Sequence, residues 1–184
     1  MAEPSVTIAA GFAAWIGAAF IVLADGRRGL AAGIGLVDLG FTVLAWTNGL
    51  WPEGAILLAG GAVCVFELVR TGPQEWGLMP PASTPRLILA LVVGILSLWV
   101  AASVTTGPGA ALRFASLAVL GLMAGRLLQS QSSIAVLTAA SGLALALAGA
   151  SGLAPGGAGL APYLFGAVIA AGALLLPAAE SRGA

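Results

Sequence analysis

The sequence predicts an all-α, polytopic integral membrane protein, a bundle of seven transmembrane helices. Of the 184 residues, 60% are hydrophobic and only 8% are charged, and the mean hydropathy is +1.07. A soluble domain carries about 25% charged residues, so this chain could not cover a globular surface with polar groups. Apolar runs of spanning length also recur along the chain, separated by polar or Gly/Pro-rich breaks. These observations together indicate a membrane bundle.

Runs of about 17 to 25 apolar residues between such breaks define seven spans. They cover residues 5–24, 29–46, 54–70, 86–104, 111–128, 133–152 and 159–178. The breaks that separate them read, in chain order, DGRRG, TNG, the long connection at 71–85, TTGPG, QSQSS and GLAPGG. An 18-residue helix rises about 27 Å, which is enough to cross the hydrocarbon core with little tilt.

The long connection is a loop because it contains four prolines and Glu75. It divides the chain into a three-helix membrane unit at 1–70, a cytoplasmic loop at 71–85 and a four-helix membrane unit at 86–184. The segments LADGRRGLAAGIGLVDLGFTVLAWTNGLWP and LMAGRLLQSQSSIAVLTAASGLALALAGASGLAP share an order of features, which suggests that spans 5–7 repeat spans 1–3 in parallel. Chance likeness between chains rich in Ala, Gly and Leu is the alternative.

The arginines predict the orientation of the bundle. With seven spans, one face holds six of the seven basic residues, namely Arg27, Arg28, Arg70, Arg86, Arg126 and Arg182. The opposite face holds only Arg113, together with Glu3 and Glu53. Because arginine-rich loops stay in the cytoplasm, the N-terminus is expected outside and the C-terminus inside. The expected location is the plasma (inner) membrane of a bacterial cell, with the lipid bilayer as the first partner.

The residue types that are missing exclude many functions. All basic residues are arginine, histidine is absent and Cys64 is the one cysteine. A retinal Schiff base needs lysine, haem and most zinc sites need an imidazole, and disulfides or iron–sulfur clusters need more thiols. A net charge of zero predicts no surface for nucleic acid. We expect no cofactor and no metal, and a protein that is not an enzyme by itself.

Asp38 is the first candidate for chemistry because it lies close to the middle of span 2. An aspartate at a helix centre costs about 2.5 to 3.5 kcal/mol on insertion scales, so something must offset that cost. Burial without a cation favours the neutral carboxyl group, which could exchange a proton. The other interpretation is structural, with Asp38 tying span 2 to Ser, Thr or Asn groups nearby.

The other charged residues are weaker candidates. Glu67 is a second proton-transfer candidate, but it precedes Arg70 by three residues and is expected to pair with it near the end of span 3. Arg27, Arg28, Arg70 and Arg126 are expected as cytoplasmic anchors, with Arg126 snorkelling to the membrane surface. Glu53 and Glu75 are expected to be solvated loop acids, and Cys64 and Ser141 to be ordinary packing groups.

Spans 1 to 3 resemble the small K-type subunit of respiratory complex I and its relatives in cation/proton antiporters and membrane-bound hydrogenases. The likeness rests on RRGLAAGIGLVD, in which Asp38 follows Arg27 by eleven residues. In that family a membrane glutamate on the second helix, in a pattern like GLE, occupies roughly this register. The resemblance implies that Asp38 is a protonatable station in a proton path and that Arg27 and Arg28 are cytoplasmic-side anchors. Spans 4–7 have no counterpart in the three-helix members.

The expected function is therefore that of an accessory membrane subunit of a proton- or cation-translocating complex, found together with other membrane subunits. One alternative is a stand-alone channel or transporter for a small solute. Such pores are usually lined by aromatic and polar side chains, and this chain has one tyrosine. The other alternative is a scaffold or assembly protein without transport, in which Asp38 could be replaced by asparagine without loss of function.

Overall fold

Seven α-helices make up most of the computed structural model, which describes residues 4–78, 83–104, 109–130, 132–154 and 159–175. The helices are α1 (Pro4–Leu23), α2 (Arg27–Thr47), α3 (Trp51–Arg70), α4 (Thr84–Val104), α5 (Ala110–Gln129), α6 (Ser133–Ser151) and α7 (Ala161–Leu175). Each predicted span corresponds to one helix, with bounds that differ by a few residues. The predicted end of the seventh span, at 176–178, and Arg182 lie outside the described residues.

The helices have the length and surface of a membrane bundle. Helices α1 to α6 are each long and apolar enough to cross a membrane, whereas the described apolar part of α7, Ala161–Gly172, is shorter. Large apolar side chains cover the outside of α4 and α7, including Ile88, Ile95, Leu96, Trp99, Phe165, Val168 and Ile169. A continuous apolar exterior of this kind suits hydrocarbon and not water. The protein is a helical membrane bundle.

Among the six long helices α1 to α6, α2 is the most buried and α4 is the least buried. Two thirds of the spanning part of α2 is buried (67%), against 22% for α4. Helix α2 packs against α1, α3, α5 and α6, whereas α4 contacts only α1 and α5. Asp38 therefore lies on the helix that is best shielded from lipid.

The helices on the two sides of α4 pair in chain order. Within each group of three, the middle helix packs on its two neighbours, α2 on α1 and α3, and α6 on α5 and α7. Between the groups, α1 packs on α5, α2 on α6 and α3 on α7. A parallel duplication would produce this arrangement, and the duplication itself stays a prediction.

Glycines bring the backbones of neighbouring helices into contact. A Cβ on Gly17 of α1 would lie 2.6 Å from both the Gly33 carbonyl oxygen and the Val37 amide nitrogen of α2, which is too close for any side chain. Gly33 faces α1 in the same contact, where a Cβ would lie 2.8 Å from the Gly17 carbonyl oxygen. Gly121 and Gly125 of α5 make room instead for side chains of α4. These glycines serve contacts within the bundle.

Candidate functional site

Asp38 is enclosed in the middle of the bundle, with 3% of its surface exposed. It is flanked on α2 by apolar residues, and its carboxyl group points at Gly61 of α3. A Cβ at Gly61 would overlap the carboxyl carbon of Asp38, so the glycine provides the space that the carboxyl group occupies. The Asp38 Oδ1 atom is buried and has no hydrogen-bond partner among the described residues.

A thiol and a hydroxyl group lie beside this carboxyl group. The Cys64 thiol of α3 donates to the Ala170 carbonyl oxygen of α7 across 3.2 Å, and the Ser141 hydroxyl of α6 donates to the same oxygen across 2.8 Å. Asp38 is close enough to Cys64 to act on it electrostatically, and Ser141 is within hydrogen-bonding reach of the thiol. We call Asp38, Cys64 and Ser141 the central polar cluster. It lies where α2, α3, α6 and α7 meet.

The central polar cluster provides a carboxyl group without a counter-charge. The ion pairs among the described residues, within 4.0 Å, all involve Asp25 and not Asp38. The Cys64 and Ser141 protons are directed at backbone carbonyl groups, so they leave Asp38 Oδ1 unpaired. Within the described ranges no group of three or more Cys, Asp or Glu residues could hold a metal ion. The cluster therefore holds a buried carboxyl group that no basic side chain of the described residues neutralises.

Three grooves on the bundle lie away from Asp38. One groove of about 380 Å³ lies between α6 and α7 and opens to the outside. Two others, of about 230 and 110 Å³, lie between α1, α4 and α5. Their lining residues are almost entirely apolar, and Asp38 is not among them.

The described arginines, except Arg113, are gathered at one end of the bundle, which we call the arginine-rich end. There Asp25, in the α1–α2 turn, accepts hydrogen bonds from Arg86 of α4 at 3.0 Å and Arg126 of α5 at 2.5 Å. We call these three residues the arginine latch. Burial raises the pKa of Asp25, but the hydrogen bonds and charges of Arg126 and Arg86 outweigh it and hold that pKa below its usual value. The latch ties one turn to two helices.

Residues 71–78, which we call the strap, cross the same turn. The Asp25 amide donates to the Gly77 carbonyl oxygen and the Arg28 amide to the Glu75 carbonyl oxygen, each across 3.0 Å. Ala24 and Leu78 form an isolated antiparallel bridge. The Arg27 guanidinium group donates to the Thr71 hydroxyl group at the end of α3. The arginine-rich end is thus closed by backbone and side-chain bonds.

Glu67 and Arg70 do not form the predicted ion pair. Glu67 is half-buried and Arg70 is exposed, and they have no contact within 4.0 Å that would count as an ion pair. Arg70 lies over the Phe66 ring instead, 5.7 Å from its centroid. An exposed pair contributes only about 0–1 kcal/mol, so a ring contact competes with it easily. Glu67 also lies six residues, or about 9 Å along α3, from Gly61, which leaves it outside the central polar cluster.

The position of Arg126 in the sequence suggests that it snorkels to the membrane surface, but in the structure it does not. It is 2% exposed, and its guanidinium group donates to the Ala24 carbonyl oxygen at 2.7 Å as well as to Asp25. Asp25 is the charged residue that sequence reasoning missed, because a turn aspartate beside two arginines reads as solvated. Arg28 is exposed, as an anchor would be, and Arg27 is half-buried against the strap.

No family model, curated protein or solved structure matches this chain.

Proposed function

We propose that this protein carries protons across a membrane and that Asp38 binds and releases them. The observation that supports the proposal is the Oδ1 atom of Asp38, which is buried in a membrane bundle without a hydrogen-bond partner. An ionised carboxylate in such a place is expensive, because no basic side chain of the described residues forms an ion pair with it. A bound proton removes the charge without any further group.

A proton fits the site better than a larger solute does. The carboxyl group is packed directly against Gly61, and the measured grooves lie elsewhere on the bundle. A small-molecule site is a cavity of about 300–1,000 Å³ with a few convergent polar groups. A proton needs no cavity, because it travels along hydrogen-bonded groups and single water molecules.

We place this activity in an accessory subunit of a proton- or cation-translocating complex, with the arginine-rich end in the cytoplasm of a bacterial cell. The resemblance of RRGLAAGIGLVD to K-type subunits supports an association with other membrane subunits. It also supports Arg27 and Arg28 as anchors. The concentration of arginines at one end supports the orientation. In that orientation α7 is the seventh span and the N-terminus is outside.

A second candidate is a stand-alone transporter, which the helix-by-helix pairing supports. Asp38 lies where α2 and α3 meet α6 and α7, between the two groups of three helices. Parallel repeats are a known transporter architecture with substrate and ion sites at the interface between the repeats. The proton-carrying role of Asp38 is the same in both candidates.

Proton flux into vesicles tests the role of Asp38. In vesicles that contain wild type and any partners that co-purify with it, Asp38→Asn is expected to abolish proton uptake because asparagine cannot take up a proton. Asp38→Glu is expected to keep part of the flux. Glu75→Gln, which alters an exposed carboxylate on the strap, is the control and should behave like wild type. Undiminished flux in Asp38→Asn would contradict the proposal and favour a scaffold.

Purification in a mild detergent separates the two candidates. Co-purification of other membrane subunits with wild type and with Asp38→Asn is expected for an accessory subunit. A chain that purifies alone and still carries protons in vesicles would favour the stand-alone transporter.

A further inference from the structure

Glu53 is a second carboxyl group with a buried oxygen that lacks a partner. The sequence suggests a solvated loop acid, but the structure places Glu53 in the first turn of α3, at the end opposite the arginine-rich end. Its Oε2 atom is buried and has no hydrogen-bond partner among the described residues. Glu53 and Asp38 therefore each have one buried carboxyl oxygen without a hydrogen-bond partner among the described residues. Glu53 lies near an end of α3, and Asp38 lies against its middle.

Thr42 lies between these two carboxyl groups. It is 1% exposed, and its hydroxyl group is directed at the Gly54 carbonyl oxygen, 3.5 Å away and next to Glu53 in the chain. Because Thr42 follows Asp38 by four residues, the two side chains lie on one face of α2, about 6 Å apart along the axis. Glu53 and Gly61 are separated by about 12 Å along α3, and Thr42, which contacts Gly54, lies toward the Glu53 end of that interval.

Aromatic side chains lie around the start of α3, where Glu53 is. Trp46 and Trp51 stack with their ring centroids 5.7 Å apart, and the Trp46 ring packs against Gly54. On the α7 side, the buried Tyr163 is close enough to Glu53 to interact with it electrostatically, and Ser151 of α6 is within hydrogen-bonding reach of Tyr163. Glu53 is half-buried, so its carboxyl group meets the solvent while its Oε2 atom is buried.

We propose that Glu53 is the entry group for protons at the end opposite the arginine-rich end, and that the Thr42 hydroxyl group passes them to Asp38. This inference rests on the proposed function and names the path that feeds its site. The Glu53 carboxyl group releases a proton, and Thr42 Oγ1 accepts one while its own hydroxyl proton moves on. The Asp38 carboxylate receives the proton. Glu53 is left ionised and is reprotonated from the solvent, and Thr42 ends unchanged.

The spacing is consistent with this path when water completes it. Thr42 contacts Gly54, the residue next to Glu53, and it lies about 6 Å along α2 from Asp38, roughly two hydrogen-bond lengths. A water molecule in each gap would make the line continuous. A buried water needs polar partners, and the unpaired Glu53 Oε2 and Asp38 Oδ1 atoms supply one at each end.

Proton uptake by vesicles that contain wild type, with any subunits that co-purify, tests the path. Glu53→Gln and Thr42→Val are each expected to slow uptake by roughly tenfold or more, the size of a lost proton-transfer group. Thr42→Ser keeps the hydroxyl group and is expected to retain most of the flux. Thr42→Val has nearly the same shape as threonine, so an unchanged melting temperature would show that packing is intact. Glu75→Gln is the control for removal of an exposed carboxylate.

The outcomes separate this inference from the proposed function. Wild-type uptake in Glu53→Gln or Thr42→Val, together with no uptake in Asp38→Asn, would overturn the path and leave the role of Asp38 standing. Wild-type uptake in Asp38→Asn would overturn both. If Thr42→Val fails to fold, Glu53→Gln decides alone, because a glutamine at this partly exposed first-turn position fits the same space.

Discussion

At the scale of single residues, the position of Asp38 depends on a glycine of another helix. A carboxyl group in the bundle interior needs space as well as compensation for its charge. Gly61 supplies the space, because any side chain there would overlap the carboxyl group. The adjacent Gly60 does the same for α7, where a Cβ would lie 2.7 Å from the Cβ of Ala167. The pair lets α3 approach two helices at once.

Gly61→Ala is predicted to destabilise the protein by about 1–3 kcal/mol, the usual cost of overpacking a core. The added methyl group would collide with the Asp38 carboxyl group. Gly172→Ala on α7 is the control, since a Cβ at Gly172 meets nothing within 4 Å. Melting temperatures in detergent measure the difference. In the double variant with Asp38→Ala the two losses should be less than additive, because the clash is gone. Equal stability of Gly61→Ala and Gly172→Ala would refute the contact.

At the scale of elements, the arginine latch and the strap add polar contacts between helices and turns at one end of the bundle. Helix α4 has the smallest buried share of helices α1 to α6, and among the described helices it packs on α1 and α5 alone. Arg86, near its start, reaches Asp25 in the α1–α2 turn, and Arg126 reaches the same carboxylate from α5. Since Arg126 is almost fully buried, Asp25 is the counter-charge that makes its burial tolerable.

The latch predicts a specific dependence of stability on pH. The pKa of Asp25 is lowered in the folded protein, where Arg126 and Arg86 outweigh burial. The stabilisation is therefore present above the unfolded pKa of about 3.9 and is lost as the pH falls through the lower folded value. The melting temperature of wild type should exceed that of Asp25→Asn by a constant amount from about pH 7 to pH 5, and the gap should close below about pH 4. A gap that closes near pH 6 would contradict this assignment.

At the scale of the whole molecule, charge and packing give the bundle two different ends. The arginine-rich end is closed by the latch and the strap, with three loop or helix-end segments bonded to one another. The opposite end holds the stacked Trp46 and Trp51 rings and Glu53. In the proposed function, protons enter at the tryptophan-bearing end and pass through the central polar cluster.

Single cysteines tested from each side of the membrane measure the orientation. In a Cys64→Ala background, Glu75→Cys on the strap is expected to react with a membrane-impermeant maleimide only after the cytoplasmic side is opened, because arginine-rich loops face the cytoplasm. Asn48→Cys, at the opposite end, is expected to react in intact cells. Both positions are exposed. The reverse labelling pattern would show that the bundle is inverted.

The sequence by itself determined the helices, the gathering of arginines and the placement of a carboxyl group inside the membrane. Each depends on local pattern: the length of an apolar run, the residues that interrupt it, and the count of arginines in alternate loops. Such features can be predicted because a helix in lipid must form all of its backbone hydrogen bonds within itself and must be long enough to cross the hydrocarbon core. Asp38 could be identified for the same reason, since the free-energy cost of an aspartate in a membrane helix depends on its distance from the ends of that helix.

Only the tertiary structure decided which groups meet. Arg126 is 101 positions from Asp25 and Cys64 is 106 positions from Ala170, so no spacing within one helix could indicate either contact. The interpretation of Arg126 as a snorkelling residue differs from the structure because it assumed an isolated helix in its membrane. Glu53, expected in a loop, lies instead in the first turn of α3. A neighbouring helix or turn decides whether a side chain is surrounded by water, lipid or protein. Those surroundings decide which partners a charged group finds.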